Sequence, residues 1–213
     1  MKKLISTGAL ALAATPALAH HPLAGMEMTT FAHGLLSGVG HPVLGFDHLF
    51  FVVAVGLVAA FTGHLRTAPL AYLGAMAAGV LFTVAGVALP LAEAVIAVSL
   101  LALGAVALSG RKVSHGAALA LFAGFGLFHG AAFGGAMASA EAGATMVVLP
   151  GYLLGLVAVQ YLIALAAGAL ALRVADNAAA MQPRLAGALV AGMGLFLTLE
   201  TVEGATLTAL GWG

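Results

Sequence analysis

The 213-residue chain is 63% hydrophobic and only 7% charged, where a soluble domain runs at roughly 45–50% apolar and about 25% charged. So few charges cannot cover a surface in water, which makes lipid the solvent for most side chains. Seven basic residues balance seven acidic ones, a balance that points to no nucleic-acid partner, and the absence of cysteine excludes thiolate metal sites, disulfides and cysteine nucleophiles.

The amino terminus reads as a cleaved export signal over residues 1–19. Lys2 and Lys3 form a positive n-region, Leu4 to Ala14 a short apolar stretch, and Ala17-Leu18-Ala19 an A-x-A cleavage site. The mature chain then begins His20-His21-Pro22, and an amino group beside imidazoles can chelate a metal. Residues 20–213 form a single membrane domain. Its long apolar runs predict spans at about 42–62, 68–89, 91–110, 114–139, 144–172 and 184–211, each near or above the roughly 20 residues that cross a bilayer. After the signal, the basic residues are Arg66, Arg111, Lys112, Arg173 and Arg184. They fall in the loops after the first, third and fifth spans, which makes those loops cytoplasmic and both mature termini periplasmic. The expected class is all-α: a polytopic bundle of about six helices in a bacterial inner membrane.

At the outer mouth of the first span, His41-Pro42-Val43-Leu44-Gly45-Phe46-Asp47-His48 places three potential ligands in eight residues. Imidazole is the commonest metal-binding side chain, and a carboxylate can ligate or orient an imidazole. On a continuous helix His41 and His48 would lie about 10.5 Å apart along the axis, too far for one coordination shell. Either they mark successive stations, or Pro42 and Gly45 unwind the backbone between them. In the second case Asp47 caps the helix proper, and the segment before it dips into the membrane as a re-entrant piece.

The fourth span carries His129 near mid-depth, where a polar side chain is a candidate ligand, proton relay or interhelical hydrogen-bonding group. Gly126, Gly130 and Gly134 stand four apart around it, as do Gly151 and Gly155 in the fifth span, a spacing that lets helices pack closely. Glu27, Asp47, Glu93, Glu141, Glu200 and Glu203 fall toward the outer side, against Asp176 alone on the inner. This asymmetry suits an entrance for cations. Glu200 and Glu203 share a face of the sixth span and are further candidates for a metal or proton path, with His20 and His21. His64 and His115, at cytoplasmic helix ends, read as ordinary interfacial residues.

The segment His41 to His48 resembles the H-P-x-x-G-x-D-H signature of the HupE/UreJ family, hydrogenase and urease accessory membrane proteins regarded as nickel or cobalt permeases. The exported His-led terminus, the acid opening the third span (Glu93) and Phe128-His129-Gly130 extend the resemblance. It implies a six-helix bundle with His41, Asp47, His48, Glu93 and His129 as the metal-handling residues. The chain departs from the family's F-H-G-x-A-H-G-x-E element by having Phe133 for the second His and Ala136 for the Glu. Glu200 or Glu203 are candidates to supply that carboxylate.

The expected function is passage of Ni2+ or Co2+ across the membrane, with no catalytic residues, no reaction on the substrate and no tightly bound cofactor. Beside the bilayer and the ion, metalloenzyme maturation proteins are candidate partners. The alternatives are a non-transporting accessory scaffold and, behind it, a haem subunit using His48 and His129 as axial ligands.

Overall fold

The computed structural model describes residues 27–140 and 145–212. The expected export signal over residues 1–19, His20, His21 and Glu141 lie outside the described residues. Seven helices make up the rest: α1 Phe31–Leu44, α2 Phe46–Ala60, α3 Ala68–Val84, α4 Ala92–Ser109, α5 His115–Ala140, α6 Thr145–Val174 and α7 Met181–Ala209. The described residues contain no strand, as the satisfaction of backbone groups in lipid requires of a chain that is not a closed barrel.

The protein is a multi-pass helical membrane bundle, but its spans are less uniform than six equal crossings. Four helices, α4 to α7, are long and apolar enough to cross alone, and α1 with α2 makes a fifth when the bent pair is taken as one span. The 17 residues of α3 sit at the short limit for a crossing. In place of a first span over 42–62, the chain turns by 81° between α1 and α2.

Gly45 makes that turn. It ends α1 with its N–H on the His41 carbonyl and starts α2 in an extended conformation. A Cβ on Gly45 would lie 3.0 Å from His48 Cδ2, 3.1 Å from Asp47 Oδ1 and 3.2 Å from the His41 carbonyl oxygen, so the tight corner leaves little room for a side chain. Pro42 lies within α1, and Asp47 lies in the first turn of α2. The expected Asp47 cap is therefore corrected: α2 begins one residue earlier and its start carries no side-chain cap.

The expected re-entrant dip is also better described as a broken crossing. Gly34 and Gly38 of α1 pack on Val148, Tyr152 and Leu156 of α6, and Gly56 of α2 packs on Ala164 farther along the same helix. The sixteen residue steps of α6 from Val148 to Ala164 rise about 24 Å. The chain thus keeps advancing along α6 after the bend.

Glycines decide the other pairings too, by letting main chains touch. Gly126, Gly130 and Gly134 of α5 face Tyr72, Met76 and Val80 of α3, and Gly79 of α3 returns the contact to Leu127 and Ala131. Gly104 of α4 meets Ala191, while Gly187 and Gly194 of α7 meet Leu108 and Leu101. The registers make α3 parallel to α5 and α4 antiparallel to α7. Each glycine stripe is consumed inside the bundle. The basic loops gather at one end, where Tyr161 Oη donates to the Arg66 carbonyl and Arg184 Nε to the Leu108 carbonyl.

Candidate metal site

The bend at Gly45 and the packing of α5 bring together residues far apart in sequence. His48, in the first turn of α2, and His129, halfway along α5, are 6% and 0% exposed, and their Nδ1 atoms are 2.9 Å apart. His129 Nε2 lies 3.0 Å from Ser99 Oγ on α4, and that hydroxyl donates to the Ile96 carbonyl at 2.6 Å. With its one proton so used, Ser99 accepts from His129 Nε2–H. His129 Nδ1 then carries a lone pair, and His48 Nδ1–H donates to it. On the far side of the His48 ring, Nε2 faces Asp47 Oδ2 at 3.6 Å.

Aromatic walls hold this chain in place. Phe51, one turn after His48 on α2, stacks on the His129 ring at 4.1 Å, and Tyr72 meets His129 edge-on at 6.1 Å. Tyr72 is itself buried, its hydroxyl donating to Gln160 Oε1 on α6. Gln160 in turn donates to the Leu156 carbonyl at 3.1 Å. Polar groups in a lipid-embedded core are costly unless paired, and here successive pairs line the contact between α2, α3, α5 and α6.

His41 stands close to the imidazole pair. The 81° turn replaces the 10.5 Å axial separation expected of a straight helix, setting the His41 and His48 ring centres 6.2 Å apart. Tyr152 Oη stands 3.3 Å from His41 Nδ1 and donates to the Phe133 carbonyl at 3.1 Å. Phe133 packs against both rings, at 5.2 Å from His41 and 4.1 Å from His48.

The remaining candidates stand elsewhere. Glu93 is exposed in the first turn of α4. It lies six residues before Ser99, about 9 Å along the axis and on a different face. Glu200 and Glu203 are exposed on α7, and Glu27 is exposed before α1. Among the described residues, no three His, Asp or Glu side chains form a group able to cage a metal. His64 and His115 stack at 3.8 Å near the basic end, a pairing the sequence did not suggest. Sequence reasoning also passed over Ser99, Tyr72, Tyr152 and Gln160. Only their polarity inside apolar runs could have marked them, and the same is true of many structural hydroxyls in membrane helices.

Residues 8–197 match the family described as HupE / UreJ protein. The chain belongs to the HupE/UreJ family. It is 33% identical over 132 residues to Protein HupE of Rhizobium leguminosarum bv. viciae, a match covering 61% of this chain and 66% of that relative, just under two thirds of its length. No solved structure matches. Membership agrees with the resemblance of the His41–His48 segment, and with a membrane bundle in which that segment leads into buried imidazoles.

Proposed function

We propose that this HupE/UreJ protein is a permease that moves a divalent transition-metal ion, nickel or cobalt, through an inner membrane to supply metalloenzyme or cofactor assembly. The observation that carries the reading is the buried His48–His129 contact. Two imidazole nitrogens 2.9 Å apart in a membrane core match the separation of adjacent ligands on one ion. With metal–nitrogen bonds near 2.1 Å, ligands at right angles lie about 3.0 Å apart and tetrahedral ones about 3.4 Å apart.

The partners of the pair suit cargo that must also leave. When an ion takes the Nδ1 atom of His48, the proton there moves to Nε2, where Asp47 faces it. A carboxylate behind a ligating imidazole is the common arrangement for fixing the metal-binding tautomer. Ser99 does the same for His129. Two imidazoles that no third His, Asp or Glu among the described residues completes into a metal-holding group make a weak site, and conduction requires sites that release as readily as they bind. Asp47, one-third exposed, and half-buried His41 supply donors at the end of α2 away from the basic loops. By the positive-inside rule that end is periplasmic. The ion enters there, passes the imidazole pair and leaves toward the basic end, without chemistry on the substrate. Direct contact of the His48 and His129 rings, with Phe51 and Phe133 stacked on them, leaves no gap for a porphyrin, which disfavours the haem reading.

The test is uptake of radioactive nickel and cobalt in cells lacking their own high-affinity importers, comparing the intact protein with His48→Ala at equal membrane levels. The intact protein is expected to accumulate one of the ions, and His48→Ala to fall to the background of cells without it. No uptake by the intact protein would sink the permease and favour an accessory scaffold.

A further inference from the structure

Tyr152 joins three helices through one hydroxyl. It lies on α6 between Gly151 and Gly155, which press that helix onto the main chain of α1 at Phe31, Leu35 and Val39, and it is buried. Its Oη donates to the Phe133 carbonyl of α5 at 3.1 Å and stands 3.3 Å from His41 Nδ1 in the last turn of α1. A phenol has one proton to give. With that proton on the Phe133 carbonyl, the hydrogen bond to His41 forms only if the imidazole donates. Nδ1 therefore carries the hydrogen, and the lone pair of the neutral ring lies on Nε2.

We propose that Tyr152 is a positioning residue for His41, holding its ring in the Nδ1–H tautomer so that Nε2 is the nitrogen offered to the ion. The proposal rests on the permease reading, in which His41 is a donor at the outer end. A hydrogen-bonding partner on the nitrogen that does not ligate is the usual device for orienting a metal-binding imidazole. Asp47 and Ser99 play that part on the Nε2 side of His48 and His129, whose Nδ1 atoms meet. Tyr152 plays it on the opposite side of the ring, so His41 presents Nε2 where the inner pair presents Nδ1. A neutral hydroxyl also orients the ring without the added basicity that a carboxylate partner confers, which suits a donor that must pass its ion on.

The surroundings make this hold specific. The His41 carbonyl accepts the Gly45 N–H at 2.9 Å, and Phe133 meets the His41 ring edge-on at 5.2 Å and 89°. Rotation of the imidazole that exchanged its nitrogens for carbons would break the Tyr152 hydrogen bond. An imidazole in water carries its hydrogen mostly on Nε2, and His41 is half-buried, so without the hydroxyl it would return toward that preference. Phenylalanine at 152 keeps the ring that packs between the helices and removes only the acceptor.

The experiment reads the tautomer directly. Nuclear magnetic resonance of the purified full chain carrying isotope-labelled histidine, in detergent without added metal and at mildly alkaline pH where imidazoles are neutral, shows which nitrogen of each ring bears hydrogen. The signals missing from His41→Ala belong to His41. Nδ1–H is expected in the original protein and mainly Nε2–H in Tyr152→Phe. Radioactive cobalt uptake in the importer-deficient cells, at equal membrane levels, supplies the functional arm. Tyr152→Phe is expected to raise the half-saturating cobalt concentration about 10-fold, the low end of what loss of such a partner costs, with the maximal rate changed much less. In a His41→Ala background the same substitution is expected to add nothing. An Nε2–H tautomer at His41 in the original protein overturns the proposal. So does an effect of Tyr152→Phe that persists in full once His41 is Ala, which is what loss of packing alone produces. Should Tyr152→Phe not accumulate, the spectrum of the original protein decides: Nδ1–H supports the proposal and Nε2–H overturns it. No cobalt entry by any form defeats the permease reading, while the spectrum still decides whether Tyr152 holds His41.

Discussion

His129→Ala is expected to reach the membrane in near-normal amounts and to take up nickel or cobalt no faster than cells without the protein. The substitution removes a ring held by His48, Ser99, Phe51 and Tyr72. It leaves the His48 Nδ1–H without a partner in a buried setting, at a cost of about 1–3 kcal/mol, which lowers stability without abolishing folding. Transport suffers more, because one imidazole cannot form the two-nitrogen bite.

Ser99→Ala sharpens the same prediction. It keeps both imidazoles and removes only the acceptor that keeps the His129 proton on Nε2. Loss of such an outer partner typically weakens metal affinity about 10- to 100-fold. The half-saturating ion concentration should therefore rise by roughly that factor, with the maximal rate changed much less. Uptake assays across a range of ion concentrations separate the two variants. Normal uptake by His129→Ala would remove the imidazole pair from the route.

The second large effect is structural. Gly130→Val is expected to prevent accumulation of folded protein, because the added Cβ would stand 2.0 Å from the Met76 carbonyl oxygen and 2.8 Å from its carbon. Both are backbone atoms and cannot rotate away. Relieving the clash means parting α3 from α5, and with them Tyr72 from His129. Overpacking of this kind costs about 1–3 kcal/mol where side chains can adjust, and more where main chains meet. Gly135→Ala is the control, since its Cβ would meet nothing within 4 Å. Detergent-extracted yield and melting temperature should drop sharply for Gly130→Val and stay unchanged for Gly135→Ala. Equal behaviour of the two would show that the α3–α5 contact is dispensable.

Much of this architecture is legible because lipid leaves few choices. A chain with 7% charged residues that must satisfy its backbone in hydrocarbon can form helices. The polar breaks around Arg66, Arg111 and Asp176 accordingly fell close to the observed helix ends. The four-residue spacing of Gly126, Gly130 and Gly134 announced a close helix contact, though not that α3 would be the partner. Pro42 and Gly45 signalled a break, but neither its angle nor that α2 would continue along α6 was readable, since both depend on Gly34, Gly38 and Gly56 finding that helix.

The amino-acid sequence by itself determined the solvent, the helices, the gathering of basic residues into alternate loops and the His41–His48 segment. Each follows from composition or from spacing along one strand of chain. Only the tertiary structure decided which donors meet. The 2.9 Å contact joins residues 81 positions apart, and Ser99, silent in the sequence, fixes the tautomer on one side of it. Glu93, Glu200 and Glu203, prominent as charges, stand exposed on α4 and α7. The physical reason is that a helix sequence specifies which face is polar, whereas the neighbour that face meets is set by the close approach of glycine backbones on other helices.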